Sequence, residues 1–269
     1  MSTSARPRLG PLVFAYAIAS YFVFLATFLY AIGFVGNLLV PRSIDSPALV
    51  PLGDALLVNL GLLAAFAVQH SLMARPAFKR GLQRVLPAAA ERSTYVLASS
   101  LALLALFWFW QPMGGVVWDL HEPFARGALL GLYAFGWGLV LVSTFLISHA
   151  DLFGLRQAWL YLRGRPCPPL PFHTPGLYRL VRHPLYLGWL FAFWATPTMT
   201  VAHFVFALMT TAYIVVAIQF EENDLLAVHP EYADYRRRVP MLIPGPVRKP
   251  RAAQAAPQHL PHDNERTTP

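Results

Sequence analysis

The sequence predicts an all-α, polytopic integral membrane bundle with about six transmembrane segments, and three observations carry that prediction. Of the 269 residues, 56% are hydrophobic and only 13% charged, about half the charged share of an ordinary soluble domain. With His counted as neutral, five windows contain no charge: 9–41, 55–74, 93–118, 127–150 and 184–220. Each reaches the roughly 20 residues that cross about 30 Å of hydrocarbon. The Lys and Arg between the windows alternate between rich and poor segments, as they do in chains that cross a membrane repeatedly.

The first window follows Arg6 and Arg8. It far exceeds the 7–15 residues of a signal h-region and no small-residue cleavage site follows, so it is read as an anchored helix. Windows two, three and four are single crossings. The fifth has 37 positions with Pro197 near its middle. It is read as a hairpin of helices at about 185–197 and 200–220, turning at "TPTMT". Lys and Arg then number 2, 1, 5, 1, 5, 0 and 7 in the successive segments outside the helices. That alternation fits six crossings with both termini cytoplasmic. The net charge of +8 is thereby accounted for by topology and anionic lipid, with no nucleic acid invoked. The partner implied is the lipid bilayer.

The membrane domain spans 1–244. A tail over 245–269, rich in Pro, Ala, Gln and charge, is expected to be disordered. The loop 151–183 holds "GRPCPPLPFHTPGLY" and is expected to be irregular but stiff, a wall for a site. After the hairpin, Leu225, Val228 and Tyr232 share helical spacing, which predicts a short amphipathic helix. Cys167 is the single cysteine, which excludes an intrachain disulfide and a site of several thiolates. No G-x-G-x-x-G after a strand, P-loop, H-E-x-x-H or C-x-x-C occurs. Any cofactor is therefore held by the bundle and its loops, and no metal is expected.

Four predicted helix ends bring polar residues to one boundary: Gln69 and His70; Ser148, His149 and Asp151; Arg182 and His183; Glu221, Glu222 and Asn223. Ionisable groups at such depth are costly unless paired or functional. Arg182 and His183 are expected to line a pocket facing Glu221 across the hairpin. The bland alternatives are a topology anchor for Arg182, interfacial hydrogen bonding for His70 and His149, and lipid contact for Arg236, Arg237 and Arg238. Acidic residues do little for topology, so the carboxylate pair argues most strongly for a site.

Three blocks, in order and spacing, resemble the C-terminal half of the isoprenylcysteine carboxyl methyltransferase superfamily. The first is Gly176, Tyr178, Arg182, His183, Pro184, Tyr186 and Gly188; the second is Glu221, Glu222 and Leu225. The third is Tyr232, Tyr235, Val239, Pro240, Ile243 and Pro244. "FLYAIGFVGNLLVPRSID", "AVQHSLMARPAFKR", "ERSTYVL", "ISHADLFGLRQ" and "RRRVPMLIP" look like its bacterial methanethiol S-methyltransferase branch, a likeness covering about residues 10–244. His229-Pro230 departs from the His-Gly or Phe-Gly pair of relatives.

The resemblance implies transfer of a methyl group from S-adenosylmethionine to methanethiol, a small thiol, to give dimethyl sulfide. It also implies an integral, multi-pass protein of a bacterial inner membrane. Cofactor-binding residues would be Tyr178, Arg182, His183, Tyr186, Glu221, Glu222 and Arg238, with Arg182 on the cofactor's carboxylate and Glu221 on its amino group or ribose. The thiolate is the nucleophile, so a proton acceptor is wanted. His149 and His70 are the candidates, and Arg182 completes the catalytic set. Three rivals stay open. One is methyl transfer to a prenylcysteine carboxylate or another lipophilic acceptor. Another is an NADPH-dependent sterol-type reductase using Arg236 and Arg237. The third is a haem-binding non-enzyme with His70 and His149 as ligands.

Overall fold

The computed structural model describes residues 8–245. Helix α1 (Gly10–Gly36) takes Pro11 in its first turn, where a missing N–H costs nothing. It ends where Asn37 turns left-handed (φ 56°) and returns its N–H to the Gly33 carbonyl. A Cβ on Gly33 would stand 2.5 Å from the Leu38 carbonyl oxygen, so only glycine lets the chain fold back there. Helix α2 (Leu52–Ala74) stops at Arg75, whose ψ of 140° is the extended state that a following proline imposes. Pro76 then starts α3 (Pro76–Leu82).

Helix α4 (Ala88–Phe109) and strand β1 (Val116–Asp119) follow, and then α5 (Pro123–Ile147). The Glu122 carboxylate caps α5 by accepting from the Phe124 and Ala125 amides, as an acidic cap should. Short helices α6 (His149–Leu152) and α7 (Leu155–Leu162) are separated by Gly154 at φ 83°. A 3₁₀ turn at Gly176–Arg179 leads into α8 (Pro184–Trp194). Strand β2 (Thr198–Thr200), α9 (Val201–Val228) and α10 (Tyr232–Arg238) complete the order.

Helix α1 packs on α4, α4 on α2, α5 on α8, and α8 on α9, while α7 lies across α1 and α4. The α5–α8 crossing is the closest. A Cβ on Gly136 would meet the Ala192 amide nitrogen at 2.5 Å, and one on Gly188 the Gly136 carbonyl oxygen at 2.8 Å. Small residues at membrane crossings admit such backbone contact, and here it fixes the start of α8. The main core joins Phe34, Ile44, Leu106, Trp110, Phe193 and Phe206, all buried. A separate cluster of Tyr232, Tyr235 and Val239 with Phe172, Leu225 and Leu226 clamps α10 to the end of α9.

Among the described residues, Arg42 and Arg126, the latter in the first turn of α5, are the only Lys or Arg at one end of the bundle; the rest lie at or beside the other end. At the sparse end β1 and β2 pair antiparallel, Trp118 opposite Met199 and Asp119 opposite Thr198. Beside them Asp45 accepts from Asn37 at 2.7 Å and from the Thr200 hydroxyl, and it faces His203 Nδ1 at 3.5 Å.

Two expectations need correction. Helices α1, α2, α4, α5 and α9 are long and apolar enough to cross a membrane, but α8 has 11 residues and reaches about 16 Å. The two helices of the hairpin form and turn where expected, but α8 ends at Trp194 and the turn contains strand β2. Pro197 lacks an N–H and disfavours helix before it, and 198–200 find a strand partner in β1. Nor does the last long helix close at Phe220. It continues to Val228, placing Glu221, Glu222, Leu225 and Val228 inside α9, and it breaks only at His229-Pro230. Tyr232 belongs to α10 instead. From residue 246 onward, the expected tail lies outside the described residues.

Candidate functional site

The opening of α8 is held by backbone as well as side chains. The amides of Arg182 and His183 donate to the carbonyls of Pro240 (2.9 Å) and Met241 (3.1 Å), so the segment after α10 runs beside the Arg-His-Pro stretch. Pro184 then starts the helix in its favoured position.

Glu222 is the hub of the site and is only 1% exposed. Its Oε1 accepts from Arg182 Nε at 2.6 Å, His183 Nε2 at 3.1 Å and the Tyr232 hydroxyl at 3.2 Å. Its Oε2 takes Arg236 Nε at 3.0 Å. Because a carboxylate only accepts, His183 Nε2 carries its proton here. Arg182 spends Nη1 on the carbonyls of Arg236 (3.0 Å) and Val239 (2.6 Å), leaving Nη2 uncommitted among the described residues. One buried carboxylate thus rivets α8, α9 and α10 together.

Glu221, one residue earlier, does the opposite. Its side chain is 46% exposed, and its nearest charged partner is His183 Nδ1 at 3.9 Å. The Tyr186 hydroxyl also interacts with it. The sequence sets Arg182 and His183 facing Glu221; the structure keeps His183 beside Glu221 but gives the Arg182 guanidinium to Glu222. Tyr178 is fixed through its carbonyl, which accepts from the Tyr235 hydroxyl at 2.6 Å. Burial first, and then the Glu221 and Glu222 charges, push the Tyr178 and Tyr232 phenols up; burial pushes Tyr235 up as well. All three are donors at working pH.

The histidines lie in two other clusters. His70 on α2 sets Nε2 against the Tyr95 hydroxyl at 2.7 Å and Nδ1 against Ser99 Oγ at 3.1 Å. Phe66 stacks on its ring, and the neighbouring Ser71 meets the Tyr213 hydroxyl of α9 at 3.0 Å. His149 bonds Tyr21 at 2.9 Å and Thr144 at 2.8 Å, stacked on Phe145 with Phe153 alongside. Burial lowers its pKa. Among the described residues the two histidines share no hydrogen-bond or ring partner, and both rings have each nitrogen engaged by a hydroxyl.

Arg238 stays exposed on α10, its Nε donating to the Asp234 carbonyl at 3.3 Å. Its neighbour Arg236, read from sequence as a lipid contact, is the residue that reaches the hub. Tyr232, Tyr235, Arg236 and Val239 fall at i, i+3, i+4 and i+7, one face of a helix, and that spacing was the available signal. Among the described residues, no group of three His, Cys, Asp or Glu side chains can hold a metal ion.

The chain is 54% identical over 233 residues to a methanethiol S-methyltransferase of Crocosphaera subtropica, covering 86% of this chain and 91% of that one. It is 54% identical over 238 residues to one of Mycobacterium tuberculosis, covering 88% and 98%. Nurim of Bos taurus is 33% identical over 190 residues, covering 67% and 70%. No family model matches the chain, and no solved structure matches it.

Proposed function

The chain belongs to the methanethiol S-methyltransferase family, and on that premise we propose that it methylates methanethiol to dimethyl sulfide with S-adenosylmethionine as donor. The observation that carries the site is the split between the two carboxylates, Glu222 buried in the scaffold and Glu221 half-exposed beside His183 and Tyr186.

The residues present fit the donor's chemistry. S-adenosylmethionine, when bound, supplies an electrophilic methyl group on a sulfonium, and it also carries an amino group, a carboxylate and ribose hydroxyls. Glu221 offers an unsaturated carboxylate to the amino group or ribose. Arg182 offers Nη2 to the carboxylate, a charge-assisted bond. Tyr178, His183 and Tyr186 wall the space between them, and Glu222 holds Arg182, His183 and Arg236 in place. Arg238 stands on the exposed face of α10, within the segment that closes over the α8 start.

Reaction of thiolate with sulfonium converts opposite charges into neutral products, so a site shielded from water does not oppose it. Its main task is orientation, which can be worth several kcal/mol. The integral, multi-pass fold suits a small apolar product that can leave through lipid. On this reading the basic end of the bundle, which carries the site, faces the cytoplasm from a bacterial inner membrane, an orientation that the positive-inside rule supports. Detergent-purified protein given methanethiol and S-adenosylmethionine should release dimethyl sulfide into the headspace. Cofactor binding without dimethyl sulfide would refute the acceptor, and absence of both would refute the methyltransferase reading.

A further inference from the structure

Ser71 on α2 meets the Tyr213 hydroxyl of α9 at 3.0 Å, the His70 ring lies edge-on to Tyr213, and Arg75 at the end of α2 pairs with Asp224 at 3.4 Å, three residues past Glu221. Yet α8 lies along α5 and α9, and α4 along α1 and α2, with no extended packing between α8 and either α2 or α4. No backbone packing therefore closes the interval between these helix pairs, and side chains alone line it. On its α2 side Tyr95 meets His70 at 2.7 Å. Behind the imidazole, Ser99 Oγ also accepts from Gln69 Nε2 at 3.5 Å, and Gln69 reaches the Met73 sulfur at 3.0 Å.

We propose that this space is the acceptor-thiol site, with Tyr95 as the catalytic hydroxyl touching the sulfur and His70 as the base acting through it. The inference rests on the methyltransferase reading above and deepens it. Phe66 stacked on His70 and Tyr213 edge-on to it give the site aromatic walls that suit a small apolar thiol, on the side of α2 that meets α9. With Nδ1–H directed to Ser99 Oγ, His70 would leave its Nε2 lone pair to accept the Tyr95 proton. The titratable groups facing His70 are the Tyr95 and Tyr213 phenols. Around Tyr95 lie Glu221 on α9, Arg92 on α4 and Arg75 at the end of α2.

The step balances. The thiol S–H bond breaks with its pair staying on sulfur, and its proton passes to the Tyr95 oxygen as the Tyr95 proton passes to His70 Nε2. The sulfur pair forms the new bond to the donor's methyl carbon, the donor's S–CH₃ bond breaks, and that pair stays on the donor sulfur. One proton, held on His70, is then released. His149 has no place in this path: its partners are Tyr21, Thr144 and aromatic rings.

The test measures dimethyl sulfide formation against pH for wild type, Tyr95→Phe, His70→Gln and His149→Gln, with S-adenosylmethionine affinity read on each by calorimetry. Methanethiol is also titrated into cofactor-free wild type and Tyr95→Phe, watching tyrosine difference absorbance. Loss of general-base help is worth about 10²–10⁴-fold. Tyr95→Phe and His70→Gln should therefore lose at least about 10²-fold in kcat near neutrality with affinity unchanged. The deficit should shrink as rising pH supplies thiolate, His149→Gln should keep the wild-type profile, and the difference signal should vanish in Tyr95→Phe. Wild-type rates and profiles in both variants, or a deficit independent of pH, would overturn the proposal. Absence of S-adenosylmethionine binding by the wild type would instead refute the methyltransferase reading, and this inference with it.

Discussion

Replacing Glu222 by Ala should unfold the site, whereas replacing Glu221 by Ala should empty it without unfolding. Glu222 accepts from Arg182, His183 and Tyr232, pairs with Arg236, and is 1% exposed. The Arg182 side chain is only 10% exposed, so deleting its carboxylate strands a buried cation, a loss of about 3–5 kcal/mol. Arg236, at 41% exposure, is rehydrated by solvent and adds little. At roughly 2–4 °C per kcal/mol for a chain of this size, the melting temperature in detergent should fall by about 6–20 °C. Glu222→Gln keeps the shape and loses the charge, so it should fall between that variant and wild type. Glu221, half in solvent, should cost under about 1 kcal/mol. Thermal melting followed by intrinsic tryptophan fluorescence reads all three. A Glu222→Ala variant as stable as wild type, or equal losses at the two glutamates, would refute the division into scaffold and ligand carboxylate.

Gly188→Val should force α8 off α5, because the new Cβ stands 2.8 Å from both the Gly136 carbonyl oxygen and the Val140 amide nitrogen. A loss of about 1–3 kcal/mol, seen as an earlier melt, is expected. Tyr235→Phe removes the 2.6 Å bond to the Tyr178 carbonyl. It should cost about 1 kcal/mol and raise KM for S-adenosylmethionine several-fold while kcat changes little. Burial lowers the pKa of His149 below its ordinary 6.5, so the folded state favours the neutral ring. Its contribution to stability is complete above pH 6.5 and is lost as pH falls below that value. Melting temperature against pH should therefore drop less steeply below 6.5 in His149→Gln than in wild type.

Length and composition made the long crossings legible. Windows of 20 or more apolar residues leave the backbone few options in hydrocarbon other than helix, and α1, α2, α4, α5 and α9 follow. The short α8 was not legible in that way. The charge-free run continues unbroken through 195–200, and only the pairing of 198–200 with 116–119, far apart in sequence, makes a strand there. The site was partly legible for a similar reason. Two adjacent carboxylates point about 100° apart on a helix, so sequence locates the pair but not which member faces α8 and α10. Arg236 was hidden inside a run of three arginines, where charge alone does not separate a lipid contact from the partner of a buried carboxylate. The break at His229-Pro230, which turns α10 so that Arg236 points inward, is what distinguishes it.

The central claim is that Glu221 faces the methyl donor, and calorimetric titration of S-adenosylmethionine into wild type and Glu221→Ala tests it most directly. One charge-assisted hydrogen bond is worth about 1.5–3 kcal/mol. The account therefore predicts affinity roughly 10- to 150-fold weaker in a variant that melts like wild type, with dimethyl sulfide output falling in parallel. Equal affinity in the two proteins would contradict it and would move the donor away from the space between α8 and α9.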